Sequence, residues 1–288
     1  MSRPRAAASL LLGGGPLPLV SVVVSVYRRA DFLGLVLSGL SGQTDQGFEI
    51  IVAEDNQGEE IAARVAAYRA RFGDRLLHVS QPHDGFGKTR ILNAALRAGR
   101  NPFLVFLDGD CVPHPSLVAT YRRAAGPGRA LFGRRVMLGP GLTARLLSGE
   151  ARSPPSLYTL LRSDSKRIEE GLRIPFFRKP LRSKPGQPSG IWGCNWGVHR
   201  SHMEEINGYD EDYVTAGVGE DVDVEWRLLA TGVALESVKH RAVVYHLHHP
   251  AAYSGDDVAI GRELLRRKQA ASQVRCLRGL TGVGEPGG

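Results

Sequence analysis

Cysteine is scarce in this chain. Cys111, Cys194 and Cys276 lie far apart and include no CxxC pair, which excludes a disulfide framework or a structural zinc site as the basis of the fold and makes a reducing compartment the default. Long apolar runs are also missing: no stretch approaches the ~20 residues that a membrane span needs. The start of the chain places Arg3 and Arg5 before Leu10-Leu11-Leu12, imitating a secretion signal, but the run dissolves at once into Gly13-Gly14-Gly15-Pro16. Residues 1–18 are therefore expected to be disordered, and the protein to be cytoplasmic or peripheral to the inner face of the cell membrane. Aromatic residues do not interleave with the basic ones, which argues against a nucleic-acid partner.

The charge that is present is basic. Thirty-seven Lys+Arg against 29 Asp+Glu leave a net +8, an excess that favours anionic partners such as nucleotide diphosphates, acidic glycans or anionic lipid. A chain of 288 residues with 42% hydrophobic content can bury a full core, and suits one large α/β domain with an appended subdomain.

The first half alternates strands and helices. Val20-Ser21-Val22-Val23-Val24-Ser25-Val26 reads as a β-branched strand, and Asp31 opens a helix with Phe32, Leu33, Val36, Leu37 and Leu40 at helical spacing. Glu49-Ile50-Ile51-Val52-Ala53 ends in Glu54-Asp55, and the next helix carries Ile61, Val65, Tyr68 and Phe72 before Gly73. Leu76-Leu77-His78-Val79 and Phe103-Leu104-Val105-Phe106-Leu107 bracket a helix with Ile91, Leu92, Ala95 and Leu96. This order predicts βαβ units and a mostly parallel sheet with right-handed crossovers.

Residues 103–107 run straight into Asp108-Gly109-Asp110. Buried strands do not ordinarily end in paired acids, which must be solvated, hydrogen-bonded or neutralised by a cation, and in an open α/β sheet that edge is where ligands bind. A divalent metal is the simplest neutraliser; an Asp-Gly-Asp turn with both carboxylates in water is the alternative. Asp55 should share the same edge, so that a nucleotide lying along it could be read at its base by one acid and at its phosphates by a metal at the other.

Beyond Pro115, a helix over 117–125 and a single strand over 130–137 are expected. Residues 139–190, rich in Pro, Gly, Arg and Ser, read as a mobile or substrate-shaping segment with a helix over 157–170. Order returns with Trp192-Gly193-Cys194-Asn195-Trp196, the turn signature Asn207-Gly208-Tyr209-Asp210, and Glu220-Asp221 at the head of a helix through Val222, Trp226 and Leu229. Acids at a helix N-terminus also complement its dipole without any further role. Trp192 and Trp196 suit either a sugar-stacking wall or the core. Ala242-Val243-Val244-Tyr245 is a strand leading into His246-Leu247-His248-His249, of which at least one histidine is expected to bind metal. Residues 257–275 read as a basic helix that is either a solvated face or a contact with an anionic membrane, followed by a loose tail after Arg278.

Two familiar phosphate motifs are incomplete. Gly87-Lys88-Thr89 would need glycine at the position of Pro82 to form a P-loop, and Gly85-Phe86-Gly87 has Arg90 where a dinucleotide fingerprint needs its third glycine. What survives is a basic turn in which Lys88 or Arg90 could neutralise phosphate.

Taken in order, Val22-Val23-Val24-Ser25-Val26-Tyr27, Glu54-Asp55, Asp108-Gly109-Asp110, Gly219-Glu220-Asp221 and Tyr245-His246 make the chain resemble inverting family 2 glycosyltransferases of GT-A fold, over about residues 20–250. From Asn195 onward it is also similar to the C-terminal region of β-1,4-galactosyltransferases and chondroitin-type polymerases. The resemblance implies a nucleotide-sugar donor, usually a UDP-sugar, with Mn²⁺ or Mg²⁺ as cofactor. It implies a glycan or lipid-linked glycan acceptor, in lipopolysaccharide, capsule or other surface polysaccharide synthesis. The nucleotide-sugar half would span 19–138 and the acceptor half 191–252. On the donor side it implies Val26, Tyr27, Asp55, Lys88, Arg90, Asp108, Gly109 and Asp110, with Asp55 reading the uracil. Asp110, Asp108 and His246, or its rival His248, would hold the metal. Trp192, Asn195, Trp196 and Glu220 would contact the acceptor, and Asp221 would be the catalytic base supported by Glu220. The other readings are a nucleotidyltransferase or pyrophosphorylase acting on sugar phosphates, and a carbohydrate-binding relative without turnover.

Overall fold

The β-branched run Val20–Val26 forms β1, buried along nearly its whole length; a strand of this composition needs cover on both faces. In the computed structural model, which describes residues 16–174, 190–217, 219–250 and 253–281, that cover comes from the crossover helices. After β1 the chain makes α1 (Ala30–Ser41), β2 (Phe48–Glu54), α2 (Glu59–Phe72), β3 (Leu76–Ser80), α3 (Lys88–Ala98) and β4 (Phe103–Asp108). Alternate side chains serve opposite layers: Val22, Val24, Ile50, Val52 and Val105 pack with α1 and α2, whereas Val23, Ile51, Leu104 and Phe106 pack with α3 and the helix α8 introduced below.

The second half continues with β5 (Cys111–Pro113), α4 (Leu117–Ala124), β6 (Arg129–Phe132), β7 (Arg134–Met137), α5 (Pro140–Leu147) and α6 (Leu157–Leu161). It closes with β8 (Asn195–His199), α7 (Arg200–Glu205), α8 (Glu220–Ala230), β9 (Ala234–Ser237), β10 (Val243–His246) and α9 (Gly255–Ala270). Seven strands form the main sheet in the order β3-β2-β1-β4-β8-β6-β9. Only β8 runs against its neighbours, β4 and β6, so the sheet is mostly parallel. A small sheet, β5-β10-β7, stands beside it.

The expected single strand over 130–137 is two strands in two sheets. The break falls at Gly133, where a Cβ would collide with the Asn195 side chain. Asn195 is the joint between the sheets: its Nδ2 donates to the carbonyls of Arg134 and Ala242, both at 3.0 Å, and its Oδ1 accepts from the Tyr121 hydroxyl at 2.8 Å. The segment after Gly139 is more regular than its composition suggested. Pro140 starts a helix at the first-turn position where proline is tolerated, and the helix expected over 157–170 reduces to α6 and a short 3₁₀ turn, Ile168–Gly171. Residues 175–189 and 1–15 lie outside the described residues, and with them most of the disorder expected at the N-terminus. Leu17 and Pro18 are held, since the Arg122 guanidinium donates to both carbonyls.

The tail is not loose up to residue 281. Asn207, at φ 65°, donates to the carbonyls of Cys276 and Thr281 at 2.9 and 3.1 Å, and its side-chain oxygen accepts from the Thr281 N–H at 2.9 Å. The inward face of α8 carries charge as well as Val224 and Leu228. Arg227, fully buried, pairs with Asp223 at 2.6 Å and donates to the carbonyls of Ile206 and Gly208, both at 2.8 Å. Removing one partner of a buried pair strands the other, so Arg227→Leu should destabilise the protein by about 3–5 kcal/mol, measured by urea unfolding, whereas Arg262→Leu on the surface of α9 should change it by less than ~0.5 kcal/mol.

Candidate active site

The parallel register aligns the strand ends. Val26 pairs with Glu54 and Ser25 with Asp108, so Asp55, Asp108 and Asp110 emerge along one carboxyl edge, on a cleft of about 540 Å³ that Val26, Tyr27, Lys88 and Gly109 also line. Glu54 turns inward, where it accepts from the Gly58 N–H and bonds His78, each at 2.8 Å. Asp55 braces the opposite wall: its carboxylate accepts from Gln81 Nε2 at 2.6 Å and from the Gly87 N–H at 2.8 Å. Tyr27 and His83 bond at 3.2 Å and pack tilted, ring centroids 4.9 Å apart, on the same cleft.

Gly109 is required by packing. Its N–H donates to the Ser25 carbonyl at 2.6 Å, and a Cβ would lie 2.9 Å from that oxygen and 3.0 Å from Val26 Cβ. The close approach holds Asp108 and Asp110 in different surroundings. Asp108 Oδ1 accepts from Ser25 Oγ at 2.9 Å and from Lys88 Nζ at 3.1 Å. Asp110 instead meets histidines: its Oδ2 lies 2.9 Å from His249 Nε2 and 3.5 Å from His246 Nε2, and its Oδ1 accepts from the Cys111 thiol at 3.1 Å. Burial alone would raise the Asp110 carboxyl, but the His249 hydrogen bond, the neighbouring imidazole of His246 and the Cys111 contact outweigh it and bring it down to about 2. Burial lowers His246 against the pull of Asp110, whereas the hydrogen bond to Asp110 raises His249.

One ligand atom each from Asp110, His246 and His249 lies within 4.8 Å of the others, and His246 Nδ1 is buried without a partner. One carboxylate and two imidazoles fit a first-row divalent ion such as Mn²⁺. His248 does not take part. It is exposed, its backbone N–H donating to Thr143 Oγ1 at 2.9 Å, because β10 ends at His246 and two-residue strand spacing stops there. Among the described residues Asp108 belongs to no such cluster either; it belongs to Lys88 and Ser25.

Lys88 also reaches Glu220 Oε1 at 3.2 Å, joining β4 to the head of α8. Burial would lower its ammonium, but Asp108 and Glu220 hold its pKa well above the ordinary lysine value. Asp221 lies beside them in a small extension of the site with Gly193, Tyr209 and Phe106. Its carboxylate accepts from the N–H groups of Val222 at 2.8 Å and Gly193 at 3.3 Å, yet burial and then the Glu220 charge raise it to about 6.

Three expected positions fall elsewhere. Asn195 is fully buried as the sheet joint, Trp196 is buried with its ring stacked on Phe106 at 4.5 Å, and Arg90 points away from the main cleft, donating to the Asp84 carbonyl at 3.2 Å beside a separate depression. Trp192 is half-buried among arginines. Ser25, Gln81, His83 and His249 were missed: serine before a strand end and a lone glutamine are too common to signal a site, though the third histidine of the His246–His249 run was in view.

Comparison with known proteins places these features. A family model described as glycosyl transferase family 2 matches residues 21–206, and one described as the N-terminal domain of galactosyltransferase matches residues 182–250. The chain is 29% identical over 231 residues to a validoxylamine A glucosyltransferase of Streptomyces hygroscopicus, covering 76% of this chain and 53% of that protein. It is 26% identical over 261 residues to the Escherichia coli chondroitin synthase, covering 85% of this chain and 37% of that one. It therefore spans about half or less of the length of these relatives. Among solved structures, a mannosyltransferase from Pyrobaculum calidifontis in complex with GDP-Man and Mn²⁺ superposes with TM-score 0.59 at 18% identity, covering 89% of this chain and 65% of that one. S. aureus TarS in complex with UDP gives TM-score 0.59 at 14% identity, covering 92% and 67%. With most of its main sheet inside the first family model and its architecture shared with these nucleotide- and nucleotide-sugar-bound structures, the chain belongs to glycosyl transferase family 2 and has the GT-A fold.

Proposed function

We propose that the protein is a metal-dependent inverting glycosyltransferase that moves a sugar from a nucleotide-sugar, most simply a UDP-sugar, to a hydroxyl of a glycan acceptor in surface polysaccharide synthesis. The observation that carries this reading is the divergence of two half-buried carboxyls in one site, Asp110 beyond the end of β4 and Asp221 at the head of α8. Asp110 is held at about 2 among imidazoles and Asp221 is raised to about 6 beside Glu220. Pairs of acids driven apart in this way are suited to different tasks. The cleft volume suits a nucleotide, and the superposed TarS and mannosyltransferase are seen in complex with UDP and with GDP-Man.

Asp110, His246 and His249 would hold the metal, which when bound supplies positive charge against the departing diphosphate. Gln81 and the Gly87 N–H keep Asp55 rigid on the wall where the base would rest. Tyr27 and His83 offer a ring face there. Asp221 accepts the proton of the acceptor hydroxyl as its oxygen bonds to the anomeric carbon. The bond from that carbon to the diphosphate breaks, and its electron pair leaves with the nucleotide. Glu220, held by Lys88, keeps negative charge beside Asp221 and so keeps it basic enough for the task. No helix among the described residues is long and apolar enough to cross a membrane, so an acceptor on a lipid carrier would be met at the bilayer surface.

The base must be deprotonated, so kcat/KM for transfer should be constant at high pH and fall as pH drops through about 6, while Asp221→Asn should lose about 10²–10⁴-fold in kcat with little change in nucleotide-sugar affinity. An unchanged acid limb in Asp221→Asn would assign the proton elsewhere. EDTA should abolish nucleotide-sugar binding followed by calorimetry, and Mn²⁺ should restore it. Even outer-sphere partners of a metal typically contribute 10–100-fold, so loss of a direct ligand in His249→Ala should raise the Mn²⁺ needed for half-saturation by at least about tenfold. His248→Ala should leave it unchanged; the opposite ranking would return the ligand role to His248.

A further inference from the structure

Outside the cleft, the indole of Trp192 is the meeting point of three guanidinium groups. Those of Arg134, Arg167 and Arg135 lie 4.6, 5.2 and 5.4 Å from its ring centroid. None of these four residues lines the cleft that holds Asp55, Asp108 and Asp110.

Three like charges around one ring repel one another. Arg134 has its pKa lowered by burial, and the charge of Arg167 acts in the same direction. The acids that face it are already engaged: Glu170 pairs with Lys239 at 3.0 Å, and Glu225 accepts from the N–H groups of Gly190 and Ile191 at 3.1 and 2.8 Å. Arg134 itself donates to the carbonyls of Gly133 and Gly190 at 3.0 and 2.7 Å. Arg135 and Arg167 differ. Among the described residues their guanidinium groups make no hydrogen bond or ion pair, and Arg135 Nε is buried without a partner, although, against the effect of burial, the charges of Asp108 and Asp110 reach Arg135 through space and help to raise its pKa. The sequence over 175–189 contains Arg178, Lys179, Arg182 and Lys184 and no acid, so it brings no counter-charge.

The cluster also has a side. Trp192 immediately precedes Gly193, whose N–H donates to Asp221 at 3.3 Å, whereas Lys88 already serves Asp108 on the donor edge. A planar guanidinium matches a carboxylate or phosphate with two parallel hydrogen bonds, and the Trp192 ring on which Arg135 and Arg167 pack holds the two groups side by side.

We propose that Trp192, Arg135 and Arg167 form an oxyanion subsite for the acceptor, binding the carboxylate of an acidic sugar or the phosphate of a sugar phosphate next to the hydroxyl that Asp221 deprotonates. The proposal rests on the reading of Asp221 as the base. It makes the acceptor an acidic saccharide and gives the two unpaired arginines a ligand.

The test uses the full chain saturated with UDP and Mn²⁺, so that the donor phosphates are occupied. Glucuronate, glucose 6-phosphate and uncharged glucose are titrated at constant ionic strength, followed by tryptophan fluorescence and by the arginine Nε–Hε signals in NMR. The expected result is saturable binding of at least one charged sugar, at least tenfold tighter than glucose. That affinity should drop at least tenfold in Arg167→Gln, which is exposed, and in Arg135→Gln, with an unchanged melting temperature and unchanged UDP affinity; Arg135→Lys should recover part of it. Three results overturn the proposal: charged sugars binding no better than glucose, affinity indifferent to both arginines, or displacement of UDP by the charged sugar, which would give Arg135 to the donor diphosphate. If UDP and Mn²⁺ fail to bind at all, the glycosyltransferase reading fails instead, and the same titration on the nucleotide-free protein still decides the subsite.

Discussion

Carboxylates crowded at one buried edge cannot all carry charge without compensation, and the site is organised around that constraint. Asp108, Asp110, Glu220 and Asp221 come from two strand and helix ends that packing brings together. Lys88 divides them, satisfying Asp108 on one side and Glu220 on the other, while His246 and His249 take Asp110. Asp221 is left with two backbone N–H donors and a like charge beside it. The chemistry follows from who lacks a cation: the well-compensated acid is fit to stay ionised, and the under-compensated one to exchange a proton near neutral pH.

The architecture makes this division possible by bringing a second sheet to the first. Parallel βαβ units deliver Asp55 and Asp108 to a common edge, but the histidine they bring to the cleft, His83, bonds Tyr27 and leaves Asp110 to find an imidazole partner elsewhere. The small sheet supplies it, because β10 pairs with β5 immediately after Asp110 and places His246 opposite Cys111. Asn195 holds the two sheets together through two hydrogen bonds, while the Tyr121 hydroxyl of α4 fixes its side-chain oxygen. A residue expected to contact the acceptor is thus a joint of the fold: it helps to set where His246 stands beside Asp110.

Buried charge recurs away from the site as a structural device. Arg227 with Asp223, and Lys268 with Asp210 and Asp212, tie α8 and α9 to the turn at Asn207-Gly208, which anchors the chain end through Cys276 and Thr281. The helix head that carries Glu220 and Asp221 is consequently part of an element clamped from below. The basic helix expected to face solvent or membrane contributes Lys268 to that clamp, which no charge count along the sequence could separate from its exposed neighbours.

Local sequence determined much of this protein. Continuous apolar and β-branched runs and helical spacing marked the four parallel strands of the first half and their helices, because each is buried by neighbours close in the chain and its pattern is its packing. The acids at 55, 108 and 110 stood out because charge beyond the end of a buried strand has few structural uses, whereas those at 220 and 221, at a helix head where acids also complement the dipole, stood out through the resemblance. Tertiary structure decided what depends on distant residues. The split at Gly133 follows from Asn195, 62 positions away; Trp196 went to the core because Phe106 covers its face. That His249 rather than His248 meets Asp110 follows from where β10 stops, since a side chain's direction there is set by the backbone after the strand, and no alternation rule reaches beyond it.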